Sequence, residues 1–432
     1  MEAKSYKKVV NAWVMYDWAN SAFVTTIAAG FMPIYFRAMA TSAGLSEVNA
    51  TSAWTLVAAI ALIFVAVLAP GMGYMADLMA GKKRFLTFFA VLGSVASVLL
   101  FLPHGDMYKL AGVIYVVGNI GFAGANVFYN ALLPHVAKEE DMDQVSTKGY
   151  AIGYLGGGLL LIINVLMYIN PQWFGIPDGE MGIRLSFVTV GLWWMGFTIP
   201  LWRYVKEPKT TSSETIKFGE AFRKGFKEMA NTFRNIQKFP EAFKLLLAFW
   251  LYNDGIGTII KIATAYGDEI GIELSVMIGA LILVQFVGIP FSFAFGSMAK
   301  KIGAKTSVLI GLGLYTLISF GGYFMETAVH FWILAFMVGL VQGGTQALSR
   351  SMFGMMVPKE RSGEFFGFYS VSDKFAGIFG LLVFGAISSM MGSSRFGIVS
   401  VIFFFVVGGL LLIRVNTKKG IADAKAAEAV GY

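Results

Sequence analysis

The chain has 432 residues, of which 56% are hydrophobic and 14% are charged. A soluble domain carries about 25% charged residues, and a soluble chain of this length could not enclose so much apolar surface in one core. The composition therefore excludes an ordinary soluble protein and predicts an all-α integral membrane protein. The complete lack of cysteine excludes disulfides and thiolate metal sites.

Twelve apolar segments are long enough to cross a bilayer, which takes about 20 residues of helix. Each is predicted to be a helix, because unpaired backbone amides cannot lie in lipid. The basic N-terminus precedes a first segment without a cleavage site of small residues, which predicts a retained span rather than a signal peptide. The predicted spans are about 12–37, 52–76, 85–102, 110–133, 147–169, 185–203, 243–266, 274–298, 305–324, 329–349, 364–390 and 396–415.

The basic residues are distributed very unevenly between the two sides that twelve spans define. With both termini on one side, that side holds 28 Lys and Arg residues and the opposite side holds four. The remaining two, Lys261 and Lys374, lie within predicted spans. This asymmetry predicts cytoplasmic termini and explains the net charge of +8 without a nucleic-acid partner.

The longest connection divides the chain into two sets of six spans. We predict an N-terminal bundle over 1–203, a linker over 204–242, a C-terminal bundle over 243–417 and a cytoplasmic tail over 418–432. The linker has aromatic and Met residues at helical spacing between basic residues, which predicts a basic amphipathic helix on the inner membrane face. The alternative is a plain linker packed on the bundle. The apolar positions are Phe218, Phe222, Phe226, Met229 and Phe233.

The two halves share sequence features at corresponding positions. The first span contains Trp13-x-x-x-Asp17 and the seventh contains Trp250-x-x-x-Asp254. A glycine, a short turn and a basic cluster follow both the second span, over 73–84, and the eighth, over 296–305. Parallel six-span repeats are typical of major facilitator transporters, whose substrate site lies between the halves.

Segment 73–84 resembles the signature loop of the major facilitator superfamily, with one extra residue between Asp77 and Gly81. In that superfamily the aspartate and basic residues of the loop help to hold the cytoplasmic side closed. The resemblance therefore implies a gating role for Asp77, Lys82, Lys83 and Arg84.

A narrower resemblance extends over nearly the whole chain. Motifs in six predicted spans or their adjoining loops are similar to the vacuole effluxer family, whose fungal members are associated with returning amino acids from the vacuole to the cytosol. Many bacterial members have no assigned substrate, and the compactness of this chain suits a prokaryotic inner-membrane member. The motifs are Tyr16-Asp-Trp-Ala-Asn-Ser-Ala-Phe23, Phe128-Tyr-Asn-Ala-Leu-Leu-Pro134, Gly149-Tyr-Ala-Ile-Gly-Tyr-Leu-Gly-Gly-Gly158, Leu251-Tyr-Asn-Asp-Gly255, Gln346-Ala-Leu-Ser-Arg-Ser351, Pro358-Lys-Glu-Arg361 and Glu364-Phe-Phe-Gly-Phe-Tyr369.

Ionisable residues within spans are the first candidates for a solute site, because a charge at membrane depth costs about 2.5–3.5 kcal/mol on insertion scales. Asp17 lies about 10 Å into the first span at 1.5 Å per residue, and Tyr16 and Asn20 share or border its face. Asp17 could bind an ammonium group, a proton or a basic gate partner. Alternatively, it forms a structural ion pair or a helix cap.

A second candidate group lies in the seventh span. Asp254 is near mid-depth, Tyr252 and Asn253 precede it, and Lys261 follows almost two turns later on the same face. An opposed pair in a cavity would engage both ends of a zwitterion. Alternatively, other spans satisfy both charges. Lys374, at mid-depth in the eleventh span, could also face the cavity.

Polar stripes occur on two further spans, at four-residue spacing. The fourth span has Asn126 and Asn130 with Tyr129, and the tenth has Gln342, Gln346 and Arg350. Spans one, four, seven and ten line the cavity in the superfamily that the chain resembles, so these stripes predict a hydrophilic path. The alternatives are helix–helix hydrogen bonding and, near the inner face, an Arg350–Glu364 gate pair.

The sequence thus predicts a monomeric secondary transporter with two pseudo-symmetric six-helix bundles, which moves a small polar or zwitterionic solute by alternating access. An amino acid is favoured, and proton coupling through Asp17 or Asp254 is a further hypothesis. A membrane receptor that binds without transport, and a lipid or amphiphile translocase on the same fold, remain alternatives. No phosphate-loop pattern, nucleophile–base pair or metal cluster occurs, so neither an ATP-driven pump, an enzyme, a cofactor nor a metal is expected.

Overall fold

The computed structural model describes residues 3–208, 220, 224, 234–375 and 378–430. Within these residues the regular structure is helical, without a strand. A π-helix, Phe23–Phe31, joins the first two helices. The helices are α1 (Ala3–Ala22), α2 (Met32–Ser42), α3 (Glu47–Leu78), α4 (Lys82–Leu99), α5 (Tyr108–Val136), α6 (Met142–Ile169), α7 (Gly179–Tyr204), α8 (Pro240–Glu269), α9 (Leu274–Ile302), α10 (Ala304–Tyr323), α11 (Ala328–Met355), α12 (Ser362–Phe375), α13 (Ile378–Met391), α14 (Ser394–Ser400), α15 (Ile402–Ile413) and α16 (Thr417–Ala429).

Each predicted span overlaps a helix in the part of the chain that the structure describes. Among the described residues, ten helical runs are long and apolar enough to cross a membrane. The other two predicted spans correspond to α4, which begins with three basic residues, and to α12 and α13, which are separated by residues 376–377. The all-α membrane fold is confirmed, and the count of twelve crossings stays a prediction.

The predicted linker helix lies outside the described residues, including all five of its apolar positions. The C-terminal tail contains helix α16. Asn416 caps the first turn of this helix, since its Oδ1 accepts from the Lys419 N–H at 3.0 Å. Ala424 on this helix is buried, and Gly420 packs against Met356 and Glu241. The tail is therefore docked on the second half.

The described residues of each half form an apolar core, and large aromatic side chains fill that of the first half, including Trp13, Phe128 and Trp194. The units meet mainly where α3 packs on α12 and where α6 packs on α9. We call the end of the bundle where residues 139–141, 359–364 and 425 meet the terminal end, because both termini lie there. It is the end that the charge asymmetry predicts to be cytoplasmic.

Candidate functional site

A cavity of about 480 Å³ lies between the two halves. The first half contributes residues of α1, the π-helix, α5 and α6, and the second half contributes residues of α8 to α12 and α14. The polar lining includes seven residues that the sequence singled out. They are Asp17, Asn20, Asn126, Asn130, Gln342, Gln346 and Arg350.

Toward the opposite end the second half presents a mostly apolar wall. Met277 and Phe331, near the first turns of α9 and α11, border the cavity there. Between them and the polar residues lie aliphatic side chains such as Ile259 and Val338. The cavity is therefore polar at its terminal end, and its wall becomes apolar as it extends away from that end.

Arg350 forms the end of the cavity and connects the two halves. Only 3% of this residue is exposed. Its Nε donates to the Ser146 hydroxyl and its NH2 group to the Ser146 carbonyl, both at 2.9 Å. Its NH1 group donates to Asn130 Oδ1 at 3.2 Å. The guanidinium also lies 4.6 Å from the Tyr150 ring centroid, so this charge is held by neutral groups and by a ring.

Asp17 supplies the negative charge beside Arg350. The Tyr129 hydroxyl donates to Asp17 Oδ2 at 2.8 Å, while Arg350 NH1 lies 3.6 Å from the same oxygen. Trp13 stacks on Tyr129 at 4.2 Å between ring centroids and donates to the Tyr129 carbonyl. Tyr129 is thus fixed behind the carboxylate and does not itself line the cavity. The Asp17 side chain is 15% exposed. Asp17 and Arg350 both line the cavity, so a carboxylate and a guanidinium lie side by side at its end.

Amide side chains surround this charged pair. Asn20 donates to Asn126 Oδ1 at 2.9 Å, which joins α1 to α5. Gln346 donates to Asn253 Oδ1 at 3.4 Å, so the buried Asn253 lies directly behind the cavity wall. Both stripes predicted from sequence therefore reach the same cavity, where amides could donate to and accept from one polar solute.

Other predicted site residues lie away from the cavity lining. Tyr16 is fully buried in the core of the first half. The Tyr252 hydroxyl shares a hydrogen bond of 2.6 Å with Ser349, and the buried Asp254 carboxylate accepts from the Gly380 N–H. Asp254 is enclosed because α13 packs against this level of α8, where a Cβ on Gly380 would lie 3.1 Å from Asp254 Oδ2.

Lys261 is exposed on α8 and does not belong to the cavity lining. The structure therefore does not bring Asp254 and Lys261 together across the cavity; it brings Asp17 and Arg350 together instead. Lys374 was also predicted to face the cavity, but its side chain lies outside the described part of the structure.

Tyr150 and Tyr154 are cavity residues that the sequence analysis did not single out. They occur four residues apart on α6, within the glycine-rich motif. That spacing is the one signal that could have placed both rings on one face. Their neighbour Gly149 is needed for close approach, since a Cβ there would lie 2.7 Å from Asp17 Oδ2.

The terminal end is closed by the predicted gate aspartate. Asp77 Oδ1 accepts from the Gly363 N–H at 3.0 Å, and Oδ2 accepts from the Glu364 N–H at 2.7 Å. Both N–H groups lie in the first turn of α12, where the helix offers no acceptor and where a negative charge is favoured. Lys82 lies 2.6 Å from the same carboxylate and donates to the Glu360 carbonyl at 3.3 Å. One carboxylate of the first half thus caps a helix of the second half.

Two other predicted gate residues lie elsewhere. The backbone N–H groups of Lys83 and Arg84 donate to Glu207, just after the end of α7, at 3.0 and 3.2 Å. The suggested Arg350–Glu364 pair is not formed, because Arg361 Nε donates to Glu364 at 2.7 Å while Arg350 faces Asp17. Glu364 follows Arg361 by three positions, so this nearer cation is the one that pairs with the carboxylate.

Burial raises the pKa of Glu207 above its ordinary value, although the N–H groups of Lys83 and Arg84 oppose the shift. The folded protein therefore holds this proton more tightly than the unfolded chain does. Stability should fall as the pH rises from the ordinary value through the raised one. We expect Glu207→Gln to flatten this part of a plot of Tm against pH, because its amide oxygen still accepts. The exposed Glu140→Gln serves as control, and equal slopes in both variants would contradict the assignment.

Comparisons with solved structures agree with this architecture. The structure superimposes on the proton:xylose symporter XylE, a major facilitator protein, with a TM-score of 0.76 at 13% identity, covering 99% of each chain. It superimposes on the human organic anion transporter MFSD10 with a TM-score of 0.71 at 12% identity, covering 94% of this chain and 99% of that one. At such low identity these matches establish the fold alone.

Sequence comparisons identify the family. A protein of Bacillus subtilis (strain 168), described as the uncharacterized MFS-type transporter YxiO, is 36% identical over 410 residues, covering 95% of both chains. Autophagy-related protein 22-1 of Penicillium rubens is 22% identical over 559 residues, covering 98% of this chain and 93% of that one. The family model described as "Vacuole effluxer Atg22 like" matches residues 5–142 and 137–425. The chain is therefore a multi-pass membrane transporter of the major facilitator type and belongs to the Atg22-like vacuole effluxer family.

Proposed function

We propose that this transporter moves a small zwitterionic solute, most favourably an amino acid, by alternating access at the cavity between its halves. The observation that carries the proposal is the meeting of Asp17 and Arg350 at the closed end of that cavity. Opposite charges a few ångströms apart, surrounded by amides, match a solute that carries both an ammonium group and a carboxylate.

The size and the second wall of the cavity support the same class of solute. A volume of about 480 Å³ lies within the range of small-molecule sites. The apolar wall of the second half can cover a hydrocarbon side chain, while Asp17 and the amides of Asn20 and Asn126 bind the polar end. Flux of the unchanged solute, rather than a chemical reaction, is the proposed activity.

Orientation and coupling are parts of the same proposal. The 28-to-4 distribution of basic residues supports cytoplasmic termini in a bacterial cell membrane. A single chain lines the cavity, which supports a monomer as the working unit. Proton coupling would place the transported proton on Asp17, because this carboxylate borders the cavity and can release its partner Arg350 when it is protonated.

The alternative with a specific observation in its favour is translocation of an amphiphile, which the apolar wall would also suit. Proteoliposomes containing the purified chain and a mixture of unlabelled amino acids should accumulate radiolabelled amino acids by counterflow. An imposed pH gradient should change the rate if protons are coupled. Binding without flux would favour a receptor, and flux of lipid analogues without any amino acid would favour the amphiphile translocase.

A further inference from the structure

Arg350 belongs to the second half, but the groups that hold it belong to the first. Its hydrogen bonds go to Ser146 and Asn130, and its ion-pair partner is Asp17. The terminal end cannot open while these contacts hold. Losing these contacts without replacement would leave a buried guanidinium without partners, which is strongly destabilising.

A carboxylate that accepted directly from Arg350 would bind it more strongly than its present partners do. The Ser146 and Asn130 oxygens are neutral, and the Asp17 carboxylate lies at 3.6 Å and accepts from Tyr129. Arginine favours a carboxylate that accepts two parallel N–H bonds, and such charged bonds are shorter and stronger than neutral ones. Since Arg350 lines the cavity, a solute can reach it without passing through the closed end.

We propose that Arg350 receives the carboxylate of the solute, and that this exchange of partners unlocks the terminal end. The inference rests on the proposed function and adds the chemical group that drives the conformational change. A bound carboxylate replaces the neutral oxygens of Asn130 and Ser146, so Arg350 keeps its hydrogen bonds when the halves separate. Asp17 is then free to pair with the ammonium group of the same solute.

A consequence follows for solutes that lack the carboxylate. A ligand shifts a conformational equilibrium only by its difference in affinity for the two states. An amino acid amide can still bind Asp17 through its ammonium group, but it offers Arg350 no charged acceptor. It should therefore occupy the cavity and leave the terminal end closed.

The lack of cysteine makes this testable with two introduced labels. Glu140→Cys and Lys359→Cys place nitroxide labels at exposed positions on opposite halves of the terminal end. The distance between the labels would be measured by double electron–electron resonance in lipid nanodiscs. One sample would contain an equimolar mixture of the eighteen amino acids without a side-chain carboxylate, and the other would contain their amides. The amino acids should populate a longer distance, and the amides should not.

Arg350→Lys keeps the charge but loses the planar fork. We expect it to weaken the preference for amino acids over amides about tenfold or more, because a hydrogen bond to a charged group is worth about 1.5–3 kcal/mol. The half-exposed Arg395→Lys is the matched control and should retain the wild-type preference.

The outcomes separate this inference from the proposed function. If amides open the terminal end as well as amino acids do, or if Arg350→Lys keeps the full preference, Arg350 is not the carboxylate receptor although the amino-acid carrier stands. If neither mixture changes the distances and vesicles accumulate no amino acid, the proposed function fails and this inference fails with it.

Discussion

Gly73→Ala is expected to prevent full closure of the terminal end and to reduce transport strongly. The added Cβ would collide with the carbonyl oxygen and carbon of Gly363, which are backbone atoms with no rotamer to change. The helices α3 and α12 would have to separate, and the bonds from Gly363 and Glu364 to Asp77 would lengthen. Overpacking of this kind costs about 1–3 kcal/mol, so the ratio of closed to open molecules should fall by a factor between about five and about a hundred.

Two measurements check this expectation. The resonance distance between labels at positions 140 and 359 should lengthen without solute, and counterflow should slow. Gly313→Ala is the matched control, because a Cβ at Gly313 meets nothing within 4 Å. Unchanged distances and unchanged counterflow in Gly73→Ala would contradict the assigned closure.

Asp17→Asn should abolish most amino-acid transport while leaving the fold intact. The asparagine oxygen can still accept from the Tyr129 hydroxyl, so packing behind the side chain is kept. The charge that would bind an ammonium group is lost, and Arg350 would carry the remaining charge of the pair. Loss of a charged hydrogen bond of about 1.5–3 kcal/mol predicts uptake at least about tenfold slower at low solute concentration.

The control for this substitution is Asp106→Asn, at an exposed loop position. It removes the same charge far from the cavity and should transport at the wild-type rate. If protons are coupled through Asp17, any residual counterflow in Asp17→Asn should also ignore an imposed pH gradient. Wild-type uptake in Asp17→Asn would remove this carboxylate from the proposed site.

The helices could be predicted because long apolar runs have few alternatives in a bilayer. The polar stripes on α5 and α11 were also recognisable, since spacing of four places side chains on one face. What spacing cannot specify is which face meets the cavity. Asp254 illustrates this, because the packing of Gly380 against its carboxylate turns a plausible site residue into a buried one.

Partners that are far apart in sequence were the other feature that could not be predicted. Asp17 and Arg350 were each recognised, but as a site carboxylate and a gate cation in separate arguments. Their meeting depends on how α11 packs against α1 and α6. Likewise, Asp77 was expected among gate charges, whereas its strongest contacts across the halves are backbone N–H groups of α12, which no pattern of side chains reveals.

The alternation of access itself can be measured with one cysteine in the cavity. Val24 lines the cavity, is 40% exposed and belongs to no charged pair, so Val24→Cys offers a neutral reporter in a cysteine-free chain. In right-side-out membranes an impermeant maleimide should react with it when no solute is present. In inside-out vesicles it should react only after the amino-acid mixture is added. Reaction from the cytoplasmic side without solute, or no reaction from that side under any condition, would contradict a cavity that opens alternately to the two faces of the membrane.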